Sequence, residues 1–165
     1  MNKGCAKAAT VVLTVTDRHS KRWEGKTIDR LKPEERSLLM SRIGNKNTKP
    51  ERIVRSVLHR LGFRFRLHRR DLPGKPDIVL PRFKAAVFVQ GCFWHRHKGC
   101  RDTTTPKTNT AFWVEKFRKN VERDKKVHKA LIDAGWRVMV VWECETGRPE
   151  ELAKRMRAEL HGSNY

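Results

Sequence analysis

Residues 77–89 read Asp77-Ile78-Val79-Leu80-Pro81-Arg82-Phe83-Lys84-Ala85-Ala86-Val87-Phe88-Val89, and this stretch decides the fold. Ile78 to Leu80 is a short apolar run, and Ala85 to Val89 is apolar at every position. A strand with no polar face must be covered on both sides, as in the middle of an α/β sheet. Pro81 to Lys84 reads as a hairpin connection, which makes the two strands neighbours. Upstream, Phe63, Phe65 and Leu67 alternate with Arg64, Arg66 and His68, a period of two that predicts a strand with one basic face. Downstream, Trp136 to Trp142 (WRVMVVW) predicts another buried strand.

Helical spacing surrounds these strands. In Pro50–Leu61 (PERIVRSVLHRL), Ile53, Val54, Val57, Leu58 and Leu61 share one helical face, and Gly62 stops the helix. Ala111 to Ala134 predicts a long amphipathic helix with Thr110 as its N-cap and Gly135 as its stop, after a loop at 101–110. Pro149 to Leu160 predicts the last helix. Pro33 with Glu34 and Glu35 opens an earlier one, KPEERSLLMSRI, because acids favour the positive end of the helix dipole. The predicted order is α-α-β-β-β-α-β-α. Residues 1–32, with Cys5 and Trp23, show no sustained period. They predict a basic, flexible N-terminal tail ahead of one α/β domain at 33–165.

Composition narrows the function. The 165 residues carry 38 Lys and Arg against 18 Asp and Glu, a net charge of +20. Five Trp and seven Phe still supply a core, so this is not the profile of a disordered chain. No apolar run is long enough for a membrane span. Residues 5–16 are mildly apolar behind Lys3, but Lys7 interrupts them and no clean cleavage site follows. The chain reads as intracellular. A charge of this size calls for a polyanionic partner, and nucleic acid fits best through counterion release.

Two clusters carry chemistry. Cys92 and Cys100 bracket His95 and His97 in the segment GCFWHRHKGC, and Cys144 ends the strand predicted downstream. Two thiolates with two imidazoles between them can form a tetrahedral zinc clip in which Cys144 supplies the fourth corner, with spacing silent on which histidine serves. The alternative is buried, unligated thiols beside a chance His-rich loop. Asp77, after a Pro-Gly-Lys-Pro turn, places a carboxylate at a strand end beside the end of Ala85–Val89. That arrangement can hold a divalent metal against a phosphodiester. Yet the Glu-x-Lys that many nucleases carry on the neighbouring strand is missing near Val89, and Asp77 can equally serve as the acid that starts a strand.

Five blocks in order tie these pieces together: Pro73-Gly74-Lys75-Pro76-Asp77, Val89-Gln90-Gly91-Cys92-Phe93-Trp94-His95, Phe112-Trp113-x2-Lys116, Lys119-Asn120-x2-Arg123-Asp124 and Val141-Trp142-Glu143-Cys144. In them the chain resembles the very-short-patch-repair (Vsr) DNA mismatch endonucleases, from about Arg36 to Cys144. The resemblance implies a restriction-endonuclease-like core, with a mixed central sheet flanked by helices, a structural zinc and a catalytic Mg²⁺. It implies nicking 5′ of the thymine in T:G mismatches left by 5-methylcytosine deamination, giving a 5′-phosphate and a 3′-hydroxyl. By the same resemblance, Asp77 and the Val89 backbone carbonyl hold Mg²⁺, His95 is the general base, and Glu51 is an acid near the site. Cys92, His97, Cys100 and Cys144 match the zinc ligands, with one extra residue before Cys100. Phe93, Trp94 and Trp113 match aromatics that wedge into the duplex, and Met40 one that enters from the opposite groove.

On the long helix, Trp113, Lys116, Phe117 and Asn120 share one face, a mixture better suited to DNA than to core. By resemblance, Lys116 and Asn120 read the mispaired bases. Lys119 and Arg123, with Lys125 and Lys126, are expected on phosphates. Gln90 departs from the family, which usually has a second catalytic histidine there. Glutamine can hydrogen-bond a phosphate or water but cannot donate a proton as imidazolium does. Double-stranded, mismatched DNA is the expected partner of a monomer in the bacterial cytoplasm, at the nucleoid when bound, and mismatch-repair proteins are candidate partners. Three rivals stay open: a nicking endonuclease with another sequence or lesion target, which Gln90 favours; a mismatch- or DNA-binding protein without catalysis; and a basic RNA-binding zinc protein.

Overall fold

The computed structural model describes residues 46–162 and Leu38. The predicted tail, the helix from Pro33, the boundary at 32/33 and Met40 lie outside the described residues. The chain divides into two units, Met1–Met40 and Ser41–Tyr165, and the second is described here. Its elements are α1 (Lys49–Arg60), β1 (Arg66–Leu67), β2 (Ile78–Leu80), β3 (Ala85–Gln90), α2 (Cys92–His95), α3 (Thr110–Asp133), β4 (Arg137–Trp142) and α4 (Pro149–His161).

The sheet is mixed, in the order β1-β2-β3-β4. β2 and β3 pair antiparallel, with Ile78 opposite Val87 and Leu80 opposite Ala85. One turn of 3₁₀-helix at Pro81–Phe83 joins them, and Lys84 closes it in a left-handed conformation. β3 and β4 run parallel from Ala85–Arg137 to Gln90–Trp142, bridged through α2 and α3.

Alternation along the strands splits the core into two layers. Ile78, Leu80, Val87 and Val141 pack with Val54, Val57 and Leu58 of α1 and with Leu152, Met156 and Leu160 of α4. Val79 and Ala86 face the other way, onto Leu131 and Val127 of α3, with Leu72, Phe88, Trp136 and Val138 around them. Both faces are therefore covered, which is why β2 and β3 are apolar at almost every position. α1 starts on a capping box: Thr48 accepts from the Glu51 backbone, and Glu51 reaches back to the Thr48 backbone.

Three expectations are corrected. The strand predicted over 63–67 is only the two residues Arg66–Leu67. Phe63 instead closes α1: its N–H donates to the Leu58 carbonyl at 3.0 Å after the left-handed Gly62, and its ring packs against Phe83 and His161. Apolar alternation there comes from a cap followed by extended chain, not from one strand. Thr110 is the first residue of α3 rather than its cap. Asn109 precedes it in a left-handed conformation, and the Thr110 hydroxyl donates back to the carbonyls of Pro106 and Lys107. Finally, Trp113 and Phe117 are buried. The helix face read as DNA surface is, at those two positions, an aromatic core.

Candidate active site and metal centre

Four donors converge at the end of the sheet. Cys92 begins α2 immediately after β3, and Cys144 follows β4, so the parallel pairing of those strands brings the two thiols together. The His97 Nδ1 lies 3.5 Å from the Cys92 Sγ and 3.4 Å from the Cys144 Sγ. With Cys100 added, the four ligand atoms all lie within 4.8 Å of one another. A tetrahedral zinc with ordinary bond lengths needs S···N separations of about 3.6 Å, so the donor set fits such an ion. The His97 ring is held by stacking on Trp142 at 4.2 Å, with 4° between the planes. Thr103 pins the loop by donating to the Cys92 and His97 carbonyls. Burial pushes the Cys92 thiol up to about 12 and also raises Cys144. Three crowded thiols disfavour thiolate by themselves, and a divalent cation would reverse that preference.

A second cluster forms around Asp77. The turn before it is fitted to α3: Gly74, at φ +70°, would put a Cβ only 2.2 Å from the Val127 Cγ1. Asp77 precedes β2, and its Oδ2 accepts the Val89 N–H at 2.8 Å. Burial raises its pKa and the nearby Glu51 charge adds to that. The Val89 hydrogen bond, His68 and Arg55 oppose the rise without cancelling it. Ligand atoms of Glu51, His68 and Asp77 lie within 4.8 Å of one another. Glu51 is 3% exposed and heavily engaged. Its Oε1 accepts from the Thr48 N–H and hydroxyl, and its Oε2 from the Asn47 N–H and the Arg55 Nη2.

His95 is placed by the short helix α2, whose Arg96 C-cap is left-handed. Its Nδ1 meets the Asp124 Oδ2 at 2.5 Å. Burial works against the Asp124 carboxylate, but the hydrogen bond and charge of His95, with Arg123 and His128, hold its pKa below the usual value. An ionised carboxylate accepts only, so Nδ1 is the nitrogen that donates to it, and in the neutral ring the lone pair lies on Nε2. Asp124 lies within one of the sequence blocks, where no role is expected of it. Its signal was there, as a single acid in the basic run Arg123-Asp124-Lys125-Lys126. Arg55 and His68 carry no such signal, since they read as ordinary residues of a helix and of a basic strand face.

Comparison with known proteins adds the next step. Residues 28–102 match the family model described as DNA mismatch endonuclease Vsr. The type II nicking enzyme V.XorIIP of Xanthomonas oryzae pv. oryzae is 51% identical over 135 residues, covering 82% of this chain and 98% of that protein. The chain belongs to the Vsr family of DNA endonucleases. Two further relatives are the type II nicking enzyme V.NmeAIP of Neisseria meningitidis, 50% identical over 110 residues (67% of this chain, 78% of that one), and the DNA mismatch endonuclease Vsr of Escherichia coli, 42% identical over 117 residues (71% and 74%).

In this Vsr-family chain the expected DNA-contacting residues are sorted by the structure. Phe93 packs edge-on against Trp94, Trp113 and Phe117, with ring centroids 5.1, 5.6 and 5.1 Å away. Phe93 and Trp94 are half-buried, Trp113 is 7% exposed, and Phe112 beside it is 54% exposed. Lys116, Lys119 and Arg123 are exposed on α3. Asn120 instead donates its amide to the Trp94 carbonyl at 3.1 Å, tying the aromatic loop to α3. Gln90 is buried at the end of β3, opposite Trp142.

Proposed function

We propose that this chain is a Mg²⁺-dependent nicking endonuclease that cuts DNA 5′ of the thymine in T:G mismatches, leaving a 5′-phosphate and a 3′-hydroxyl. The observation that carries the reading is His95 locked by Asp124 on one ring nitrogen, close in sequence to a strand end where Asp77 is held by Val89. Asp77, with the Val89 carbonyl, would hold the Mg²⁺. When bound, that ion polarises the phosphate and stabilises charge on the leaving 3′ oxygen. His95 Nε2 takes a proton from the attacking water while Asp124 fixes the ring and favours its positive charge. Gln90, in the next position after Val89, is assigned to hydrogen-bonding a phosphate or water through its amide.

Cys92, His97, Cys100 and Cys144 would hold a structural zinc that fixes the loop carrying His95, Phe93 and Trp94. Phe93, Trp94 and Met40 are assigned to wedging at the mismatch, with buried Trp113 packed behind Phe93, Lys116 and Asn120 to the mispaired bases, and Lys119 and Arg123 to phosphates. Asn120 must exchange its bond to Trp94 for a base on binding. The sheet with helices on both faces supports a restriction-endonuclease-like core behind a basic tail at 1–32. The protein is assigned to the bacterial cytoplasm as a monomer.

The Escherichia coli relative is named a DNA mismatch endonuclease, whereas the relative at 51% identity is named a type II nicking enzyme. With Gln90, this favours a second reading, a nick at another sequence or lesion. End-labelled duplexes differing only in T:G, U:G, another mismatch or none, with and without Mg²⁺, separate the two. A single Mg²⁺-dependent cut 5′ of the mispaired thymine supports the first. Equal cutting of matched DNA supports the second, and no cut on any duplex removes both.

A further inference from the structure

His68 sits beside Asp77 by register. β1 and β2 pair Arg66 with Val79 and Leu67 with Ile78, and the His68 N–H continues the ladder to the Asp77 carbonyl at 3.3 Å. Residues directly opposite in a sheet share a face. The backbone at His68 is left-handed, with φ +47°, a conformation that costs a non-glycine residue energy and is kept where the surroundings fix it. The His68 side chain meets Arg55. The Arg55 Nη2 lies 3.2 Å from the His68 Nε2 and 2.6 Å from the Glu51 Oε2, while Nη1 donates to the Asn47 Oδ1 at 2.6 Å. A guanidinium only donates, so the His68 Nε2 accepts and carries a lone pair.

In the cluster of Glu51, His68 and Asp77, both Glu51 oxygens are already taken by Thr48, Asn47 and Arg55. Asp77 and His68 are the donors left for a cation. His68 and Asp77 are both half-buried, and 26% of the His68 side chain is exposed against 5% for Glu51, so these two are the members that solvent and ions can reach. We infer that His68 is a nitrogen ligand of the divalent cation held at Asp77, which gives the site a higher affinity for Mn²⁺ or Co²⁺ than for Mg²⁺. Magnesium favours all-oxygen shells, whereas imidazole suits the later transition ions. Arg55 gives up one of three hydrogen bonds when the cation enters and stays anchored on Glu51 and Asn47. The inference rests on the reading that Asp77 holds the catalytic ion, and the test separates the two.

The zinc-loaded full chain is titrated with Mn²⁺, bound ion being read from loss of the free aquo-ion signal in electron paramagnetic resonance. Echo-modulation spectra then report whether a nitrogen is directly bound. His68→Asn is the informative variant, because asparagine accepts the left-handed backbone. His95→Ala removes the imidazole of α2 that is not among the zinc-type ligands. The expected result is nitrogen modulation in the wild type and in H95A, its loss in H68N, and Mn²⁺ affinity in H68N weakened by about tenfold or more, with Mg²⁺ affinity changed less. Modulation that persists in H68N, or Mn²⁺ binding unchanged in H68N but lost in Asp77→Asn, overturns the role of His68 alone. Mn²⁺ binding unchanged in D77N overturns the metal site at Asp77 itself, and a wild type that binds no Mn²⁺ overturns both.

Discussion

Two substitutions at Asp124 test the tautomer of His95, and they are expected to differ. Asp124→Ala removes one charge-assisted hydrogen bond between groups whose side chains are 22% and 18% exposed. Bonds to charged groups contribute about 1.5–3 kcal/mol, so loss of orientation should slow nicking by about 10- to 150-fold. Asp124→Asn keeps the shape but changes the donor. The Arg123 Nη2 lies 3.6 Å from the Asp124 Oδ1, which favours the amide oxygen on that side and leaves the NH₂ where Oδ2 meets His95. An N–H aimed at Nδ1 forces the ring proton onto Nε2, the nitrogen that must accept a proton from water. The corresponding substitution in serine-protease triads costs about 10⁴-fold, and a loss approaching that size is expected here. Single-turnover nicking of an end-labelled duplex at saturating protein reads the chemical step, and duplex binding measured separately shows that DNA affinity is kept. A D124N rate within about threefold of the wild type would refute the reasoning, since an inverted tautomer cannot act as a base.

Other consequences follow from the same geometry. Gly74→Ala combines a left-handed backbone with a Cβ 2.2 Å from the Val127 Cγ1, and should destabilise the fold by about 2–4 kcal/mol in denaturant titrations; adding Val127→Ala should recover the packing part and leave the backbone part. Cys144→Ala should lose the metal held with Cys92, His97 and Cys100 and lower the melting temperature, and metal analysis that still finds one zinc per chain would discard the ligand set. Asp77→Asn should stabilise the protein without divalent cation while stopping nicking. The folded carboxyl has a raised pKa, so its ionised form penalises folding above that pKa and the penalty vanishes below the unfolded value of 3.8. The thermal advantage of D77N should therefore be present at neutral pH and fade as the solution is acidified toward that value.

The β2–β3 pair was legible because a buried strand writes itself as an unbroken apolar run, and α1 because Ile53, Val54, Val57, Leu58 and Leu61 repeat at helical spacing. Phe63 misled because capping and pairing leave the same apolar mark on a short segment. Trp113 and Phe117 misled for a different reason. Their partners Phe93 and Trp94 are some 20 residues upstream by sequence number, on a four-residue helix too short for periodicity to announce. The zinc-type cluster could be assembled from the sequence because Cys92 and Cys144 each follow a buried strand, and the parallel register of β3 and β4 brings those strand ends together; spacing leaves open which histidine serves, and the fold brings in His97. Asp124 stands out only as a lone acid in a basic run and Arg55 carries no local signal, because their meaning lies in partners 29 and 13 residues away.

Glu51 shows how far a motif match can stand from a mechanism. It was assigned as an acid near the site, and the structure does bring it within 4.8 Å of His68 and Asp77 ligand atoms. Yet the same carboxylate closes the N-terminus of α1 and neutralises Arg55. A carboxylate already accepting from two backbone N–H groups, a hydroxyl and a guanidinium has little capacity left for water or a metal. Its contribution is placement: it fixes where α1 begins and where Arg55 points, and Arg55 in turn holds His68 beside Asp77. On the other side of the site, Asp124 of α3 does the same for His95. The reacting groups thus sit on a strand end and a four-residue helix, while the residues that aim them belong to the long helices packed on opposite faces of the sheet. That division lets short, strained segments carry the chemistry without having to hold their own geometry.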